Sequence, residues 1–101
     1  MSTDTFRLKD IAAGLVMDIG IQFEIKVYAS IFTEVRDARY RLEIMMPLEL
    51  EKELDRFLIE KYELTSTSRI RWNDFWVKKW YHIKKDMLDN IKVLIRLLGY
   101  M

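Results

Sequence analysis

Cysteine is absent from this 101-residue chain, and proline and histidine occur once each. No disulfide framework or thiolate zinc site can form, so folding needs no oxidising compartment. His82 alone supports neither a His-rich metal set nor a Ser/His/Asp triad with a histidine to spare. There is no Gly-rich phosphate loop, and the carboxylates fall in no recognisable acid/base or metal-ligand spacing. An enzyme is therefore not expected: no catalytic residue, metal ligand or cofactor is assigned. Apolar runs fall short of the ~20 residues of a membrane span. The opening MSTDTFRLKD carries charge and lacks an apolar stretch, so it does not read as a secretory signal. The expectation is a soluble, cytoplasmic protein with no integral membrane association.

What the chain does have is hydrophobic content, 50% of its residues, enough at this length for a single domain over 1–101. Its net charge of +1 hides an uneven distribution. Residues 1–46 hold six basic and seven acidic groups, residues 47–65 three and six, and residues 66–101 eight and three. A basic last third beside an acidic helix gives a potential one-sided footprint for a polyanion. A mixed, solvated helix face accounts for the same counts.

Periodicity divides the chain. Residues 1–18 read as a frayed start and a short helix, capped by Asp4, with Phe6, Ile11 and Leu15 on one side. From Ile19 the period becomes two: Ile21, Phe23, Ile25, Val27, Ala29 and Ile31 alternate with polar neighbours, as in a half-buried strand. A polar stretch from Glu34 to Ala38 reverses the chain. Tyr40, Leu42, Ile44 and Met46 then alternate with Arg39, Arg41, Glu43 and Met45, so 19–46 reads as two strands forming a hairpin. Pro47 suits the first position of a helix over 47–63, in which Leu50, Leu54, Phe57, Leu58 and Tyr62 form one stripe.

TSTS at 65–68 offers N-cap hydroxyls and Gly99 a stop, predicting a long helix over 66–98. On that helix Trp72, Trp76, Trp80, Ile83, Met87, Ile91, Leu94 and Leu98 fall within about 100°, and further apolar residues widen the arc to about 180°. One other helix and a thin sheet cannot cover so wide a face, which points to a homodimer. Arg71, Lys78, Lys85 and Lys92 recur on the opposite side. A competing segmentation makes Thr67–Trp72 a third strand, with the helix beginning at Asn73 or Asp74.

The order over residues 39–79 resembles the ribbon-helix-helix (Arc/MetJ-like) DNA-binding family. RLEIMMP would be the strand and its terminating proline, LELEKELDRFLIEKY the first helix, and LTSTSRIR the turn into the second. In that family a strand from each of two subunits pairs into a ribbon that enters the major groove. The resemblance implies base contacts from Arg41, Glu43 and Met45 beside Arg39, a phosphate clamp at the backbone of Thr67 and Ser68, and phosphate contacts from Lys78 and Lys85. Leu50, Leu54, Phe57, Trp72, Trp76, Trp80, Ile83 and Met87 would form the core or dimer contact. The implied fold class is α+β: a short N-terminal helix and strands, then a strand-helix-helix unit ending in a long C-terminal helix. The implied function is a dimeric regulator of transcription, a repressor or antitoxin-like factor, with duplex DNA as its partner.

Two alternatives stand beside it. If Ile21–Ile31 pairs with Arg39–Met46 within one subunit, a dimer offers four strands, roughly 20 Å across, to a groove only ~12 Å wide. That hairpin points to a non-enzymatic interaction module, an inhibitor or accessory factor that binds a protein through its sheet or its Trp-bearing helix. Peripheral membrane association through the last helix is the third reading.

Overall fold

The computed structural model describes residues 7–34 and 39–99. The chain runs through α1 (Leu8–Phe23), β1 (Tyr28–Glu34), β2 (Arg39–Pro47), a 3-10 turn (Leu48–Leu50), α2 (Glu51–Tyr62), β3 (Thr65–Arg71), β4 (Trp76–Ile83) and α3 (Lys85–Leu97). The expected cap at Asp4, its neighbour Phe6 and the reversal across 35–38 lie outside the described residues. All four strands form one antiparallel sheet in the order β1-β2-β4-β3. β1 and β2 pair directly, Tyr28 opposite Met45 and Glu34 opposite Arg39. β2 then leads through α2 to β3 at the far edge, and β4 returns between them.

This architecture overturns the ribbon-helix-helix expectation. A helix comes first, and no long helix occupies 66–98: that stretch supplies two strands and only then α3. WVKKWYHI is rich in aromatic and β-branched residues and alternates in burial along its length, which a pleated, half-buried surface accommodates and a helix does not. Asn73 ends β3 with a side-chain turn. Its Oδ1 accepts from the backbone N–H of Phe75 at 2.8 Å and of Trp76 at 2.9 Å, which ties the chain into a hairpin. The expected strand from Ile19 is also shortened. Ile11, Leu15 and Ile19 recur every four residues and are fully buried, so α1 continues to Phe23. Pro47 is the last, extended residue of β2, and the helix begins after the 3-10 turn.

Neither α1 nor α2 ends on glycine. Glu24 (φ 55°) and Glu63 (φ 54°) adopt the left-handed conformation themselves, and their N–H groups close the last turns on Gly20 O and Ile59 O. The three helices lie against one face of the sheet. The core joins Leu42, Ile44 and Met46 of β2 and Val77, Tyr81 and Ile83 of β4 to Leu54, Leu58 and Tyr62 of α2 and Leu88, Ile91 and Ile95 of α3. A buried staple ties α1 to α2: Asp18 Oδ2 accepts from the Tyr62 hydroxyl and from Lys61 Nζ at 2.6 Å.

Gly14, which weakens α1 on propensity alone, has a packing role. A Cβ there would lie 2.9 Å from Ile95 Cδ1 and closer still to Cγ2, so the glycine sets how near α1 approaches α3. Ile95 is fully buried and branched at Cβ, and cannot step aside. Gly14→Ala is therefore expected to destabilise by about 1–3 kcal/mol despite its better helix propensity. Urea unfolding checks this, and a stabilised variant would contradict the close α1–α3 contact.

Candidate functional site

Alternation gives the sheet two unlike surfaces. In β4, Val77, Lys79, Tyr81 and Ile83 are buried against the helices, while Trp76, Lys78, Trp80 and His82 face away and are half-buried. Directly paired residues share a face, so the register extends this outer surface across all four strands. Phe32, Arg41, His82 and Thr65 form one row, Ser30, Glu43, Trp80 and Ser68 the next, and Tyr28, Met45, Lys78 and Ile70 a third. Pro47 and Trp76 close the end, and the N–H of Trp72 donates to the Trp76 carbonyl at 2.9 Å. Ala13 and Val16 of α1 line a cavity with Tyr28, Ser30, Glu43, Met45 and Lys78 at the β1 side of this face. Tyr28 is 58% exposed, Ile70 57% and Trp72 62%, an unusual concentration of apolar surface for a monomer.

Cations interleave with the rings. Lys26 Nζ lies 5.5 Å from the Tyr28 ring centroid, the Arg41 guanidinium 5.9 Å from Phe32 and Lys78 Nζ 5.2 Å from Trp72. The Tyr28 and Trp76 rings are 6.3 Å apart. Two carboxylates join them: Glu43 at 3.3 Å from Lys78, and Glu34 at 3.7 Å from Arg41 and 3.6 Å from His82 Nε2. Lys26, Arg39, Arg41 and Lys78 thus outnumber Glu34 and Glu43 on this side. The 48–63 segment behind the sheet instead holds six acidic and three basic residues. Acidity behind the sheet is confined to the α2 side, since α3 and its N-cap hold Lys84, Lys85, Lys92 and Arg96 against Asp86 and Asp89.

The structure brings some expected site residues together and scatters others. Arg39, Arg41, Glu43 and Met45 do share the outer face of β2, beside Lys78. Yet β2 is hydrogen-bonded on both edges, to β1 and to β4, so it has no edge left to pair with a second subunit's strand. Thr67 and Ser68 belong to a bulge in β3, where Thr67 Oγ1 donates to the Trp80 carbonyl at 3.0 Å; they open no helix and form no phosphate clamp. Lys85 begins α3, near Tyr40 and Asp86 and away from the outer sheet face.

The expected core and dimer residues also divide. Leu54 and Ile83 are fully buried, whereas Leu50, Phe57 and Met87 are half-buried, Phe57 with its ring edge-on to Phe23 at 5.4 Å. Trp72, Trp76 and Trp80 lie on no helix. α3 turns Leu88, Ile91 and Ile95 into the core, which removes the half-apolar helix from which a dimer was expected. Tyr28 and Phe32 were missed as site residues. The signal for the tryptophan surface was the alternation of Trp76, Lys78, Trp80 and His82.

Behind the sheet, charged groups serve to hold α2 in place. Arg69 donates to both oxygens of Glu51 at 2.6 and 2.7 Å, and buried Lys79 donates to Asp55 at 2.7 Å and lies 3.5 Å from Glu51. The Tyr81 hydroxyl donates to Asp55 at 2.8 Å. Burial and then the Asp55 hydrogen bond raise the Tyr81 pKa, and burial and then Asp18 raise that of Tyr62, so both hydroxyls stay protonated donors. Among the described residues no group of three His, Cys, Asp or Glu side chains could hold a metal, and no helix is long and apolar enough to cross a membrane. Compared with protein-family models, curated proteins and solved structures, the chain matches none, so its own geometry carries the functional reading.

The Arg69 hydrogen bond holds the Glu51 carboxyl below its ordinary value, against a partial burial that pushes it up. A folded pKa below the unfolded one stabilises the protein above the unfolded value and loses that contribution as pH falls through the folded one. Glu51→Gln is therefore expected to be less stable than the native protein at pH 7, with the gap closing below about pH 4. Urea midpoints at pH 7 and pH 3 check this; a gap independent of pH would contradict it.

Proposed function

We propose that the protein is a small, non-enzymatic module that binds single-stranded nucleic acid across the outer face of its sheet. One observation carries the reading: aromatic rings and cations alternate on the same outer surface of the sheet. Exposed rings stack on bases at about 1–3 kcal/mol each with little regard to sequence. Cations beside them neutralise the phosphates, and the acidic α2 side disfavours a polyanion on that helix.

Width and spacing favour a single strand over a duplex. Four strands span roughly 14 Å between outer backbones, more than the ~12 Å of a major groove, so the outer face of β2 cannot reach base edges there. Outer-face residues two apart are about 6.6 Å apart, roughly twice the 3.4 Å repeat of stacked bases. Bases that settle on such rings have left their own stack. A regulatory role exerted through nucleic acid is compatible with this reading, with exposed strands in place of an operator.

A second reading has its own observation. The outer edge of β1 is paired to no described strand, and Tyr28–Glu34 contains neither proline nor bulge. Such an edge can accept an extended peptide.

The nucleic-acid reading predicts that a ten-nucleotide single strand binds at 50 mM salt and weakens steeply by 200 mM. Tyr28→Ala and Trp72→Ala, both at exposed positions, should each cost about 1–3 kcal/mol of affinity while leaving the fold intact. Fluorescence anisotropy checks both. No binding at 50 mM would remove this reading and leave the β1 edge as the stronger candidate.

A further inference from the structure

At one end of the outer face is a groove of about 360 Å³ lined by Glu34, Arg41, Ser68, Ile70, Trp80 and His82. We infer that this groove seats a guanine base of the bound strand, with Glu34 and Arg41 reading its edge beside Trp80. The inference rests on the single-strand reading above and adds a base preference to it.

The groove combines a stacking surface with a matched pair of polar groups. Trp80 is central, in the row between Ser30 and Glu43 on one side and Ser68 on the other. A half-buried indole there offers a π-face to any base. Glu34 supplies two acceptor oxygens and Arg41 a fork of donors, side by side. Guanine presents, in order along its pairing edge, one acceptor (O6) and two adjacent donors (N1–H and the N2 amino group). An arginine beside a carboxylate is the complement of that order. Adenine and cytosine each place a ring acceptor next to a single amino donor, and thymine or uracil flanks one N–H with two carbonyls. Each of them would set an acceptor against the carboxylate.

Glu34 is held loosely enough to serve. Its described cation partners, Arg41 Nε at 3.7 Å and His82 Nε2 at 3.6 Å, are both beyond hydrogen-bond distance. A guanine edge between them would gain short bonds without breaking any made within the pair. Arg41 also lies near the face of Phe32, which limits how far its fork can swing.

Three ten-nucleotide probes test this by anisotropy: an all-thymidine strand, the same strand with one central guanine, and the same strand with inosine there, which lacks the N2 amino group. The guanine strand is expected to bind about tenfold or more tighter than the all-thymidine strand. Inosine should lose most of that gain. Glu34→Gln, which leaves one acceptor oxygen where guanine needs two, should bring the guanine strand to the affinity of the all-thymidine strand. Equal affinity for guanine and thymidine strands, or a preference that survives both inosine and Glu34→Gln, would overturn the guanine assignment. Salt-dependent binding of all three strands without preference would still leave the sheet-face reading standing, whereas binding of none would remove both.

Discussion

β4 is hydrogen-bonded on both edges, and its side chains divide by parity into the two halves of the molecule. The odd positions Val77, Tyr81 and Ile83 are fully buried beneath the helices, and Lys79, at 6% exposure, reaches the carboxylates of α2. The even positions Trp76, Lys78, Trp80 and His82 form the middle of the outer face. A slip of one residue in this strand would exchange the two sets and bury His82 while exposing Ile83. The core and the outer aromatic face therefore share one constraint, and neither can be rearranged alone.

The charged network behind the sheet reinforces that register. Lys79 is too buried to tolerate isolation, and Asp55 and Glu51 of α2 neutralise it from the helix side. Arg69 of the edge strand joins Glu51, so β3, otherwise exposed along its length, is anchored through α2 as well as through its hydrogen bonds to β4. Part of the acidity of α2 is thereby neutralised on its own sheet side, by Lys79 and Arg69.

Where one period fits the residues and the other does not, the structure was legible from sequence. Tyr40, Leu42, Ile44 and Met46 alternate without a helical counterpart, and the β1–β2 hairpin follows. Leu54, Leu58 and Tyr62 recur every four residues, and α2 follows. Trp72, Trp76 and Trp80 are the opposite case. A spacing of four is nearly one helical turn and also an even number of strand residues, so the series satisfies both periods. The same ambiguity extended the first strand back over Ile21 and Phe23, which belong to α1. On β2, the outward-facing positions of Arg41 and Glu43 in the candidate site were legible from the alternation. The aromatic half of that site was not, because Tyr28 and Phe32 acquire their meaning only when β1 aligns with Arg41 and Met45.

The central claim is that one face of one sheet is the binding surface. Amide and indole N–H resonances, followed by NMR as a ten-nucleotide single strand is added, report on it residue by residue. The account predicts that the largest shifts fall on Tyr28, Phe32, Arg41, Lys78 and the indoles of Trp72, Trp76 and Trp80, with α2 and α3 nearly silent. Shifts concentrated on the outer surfaces of α2 or α3, with the three indoles unmoved, would contradict it.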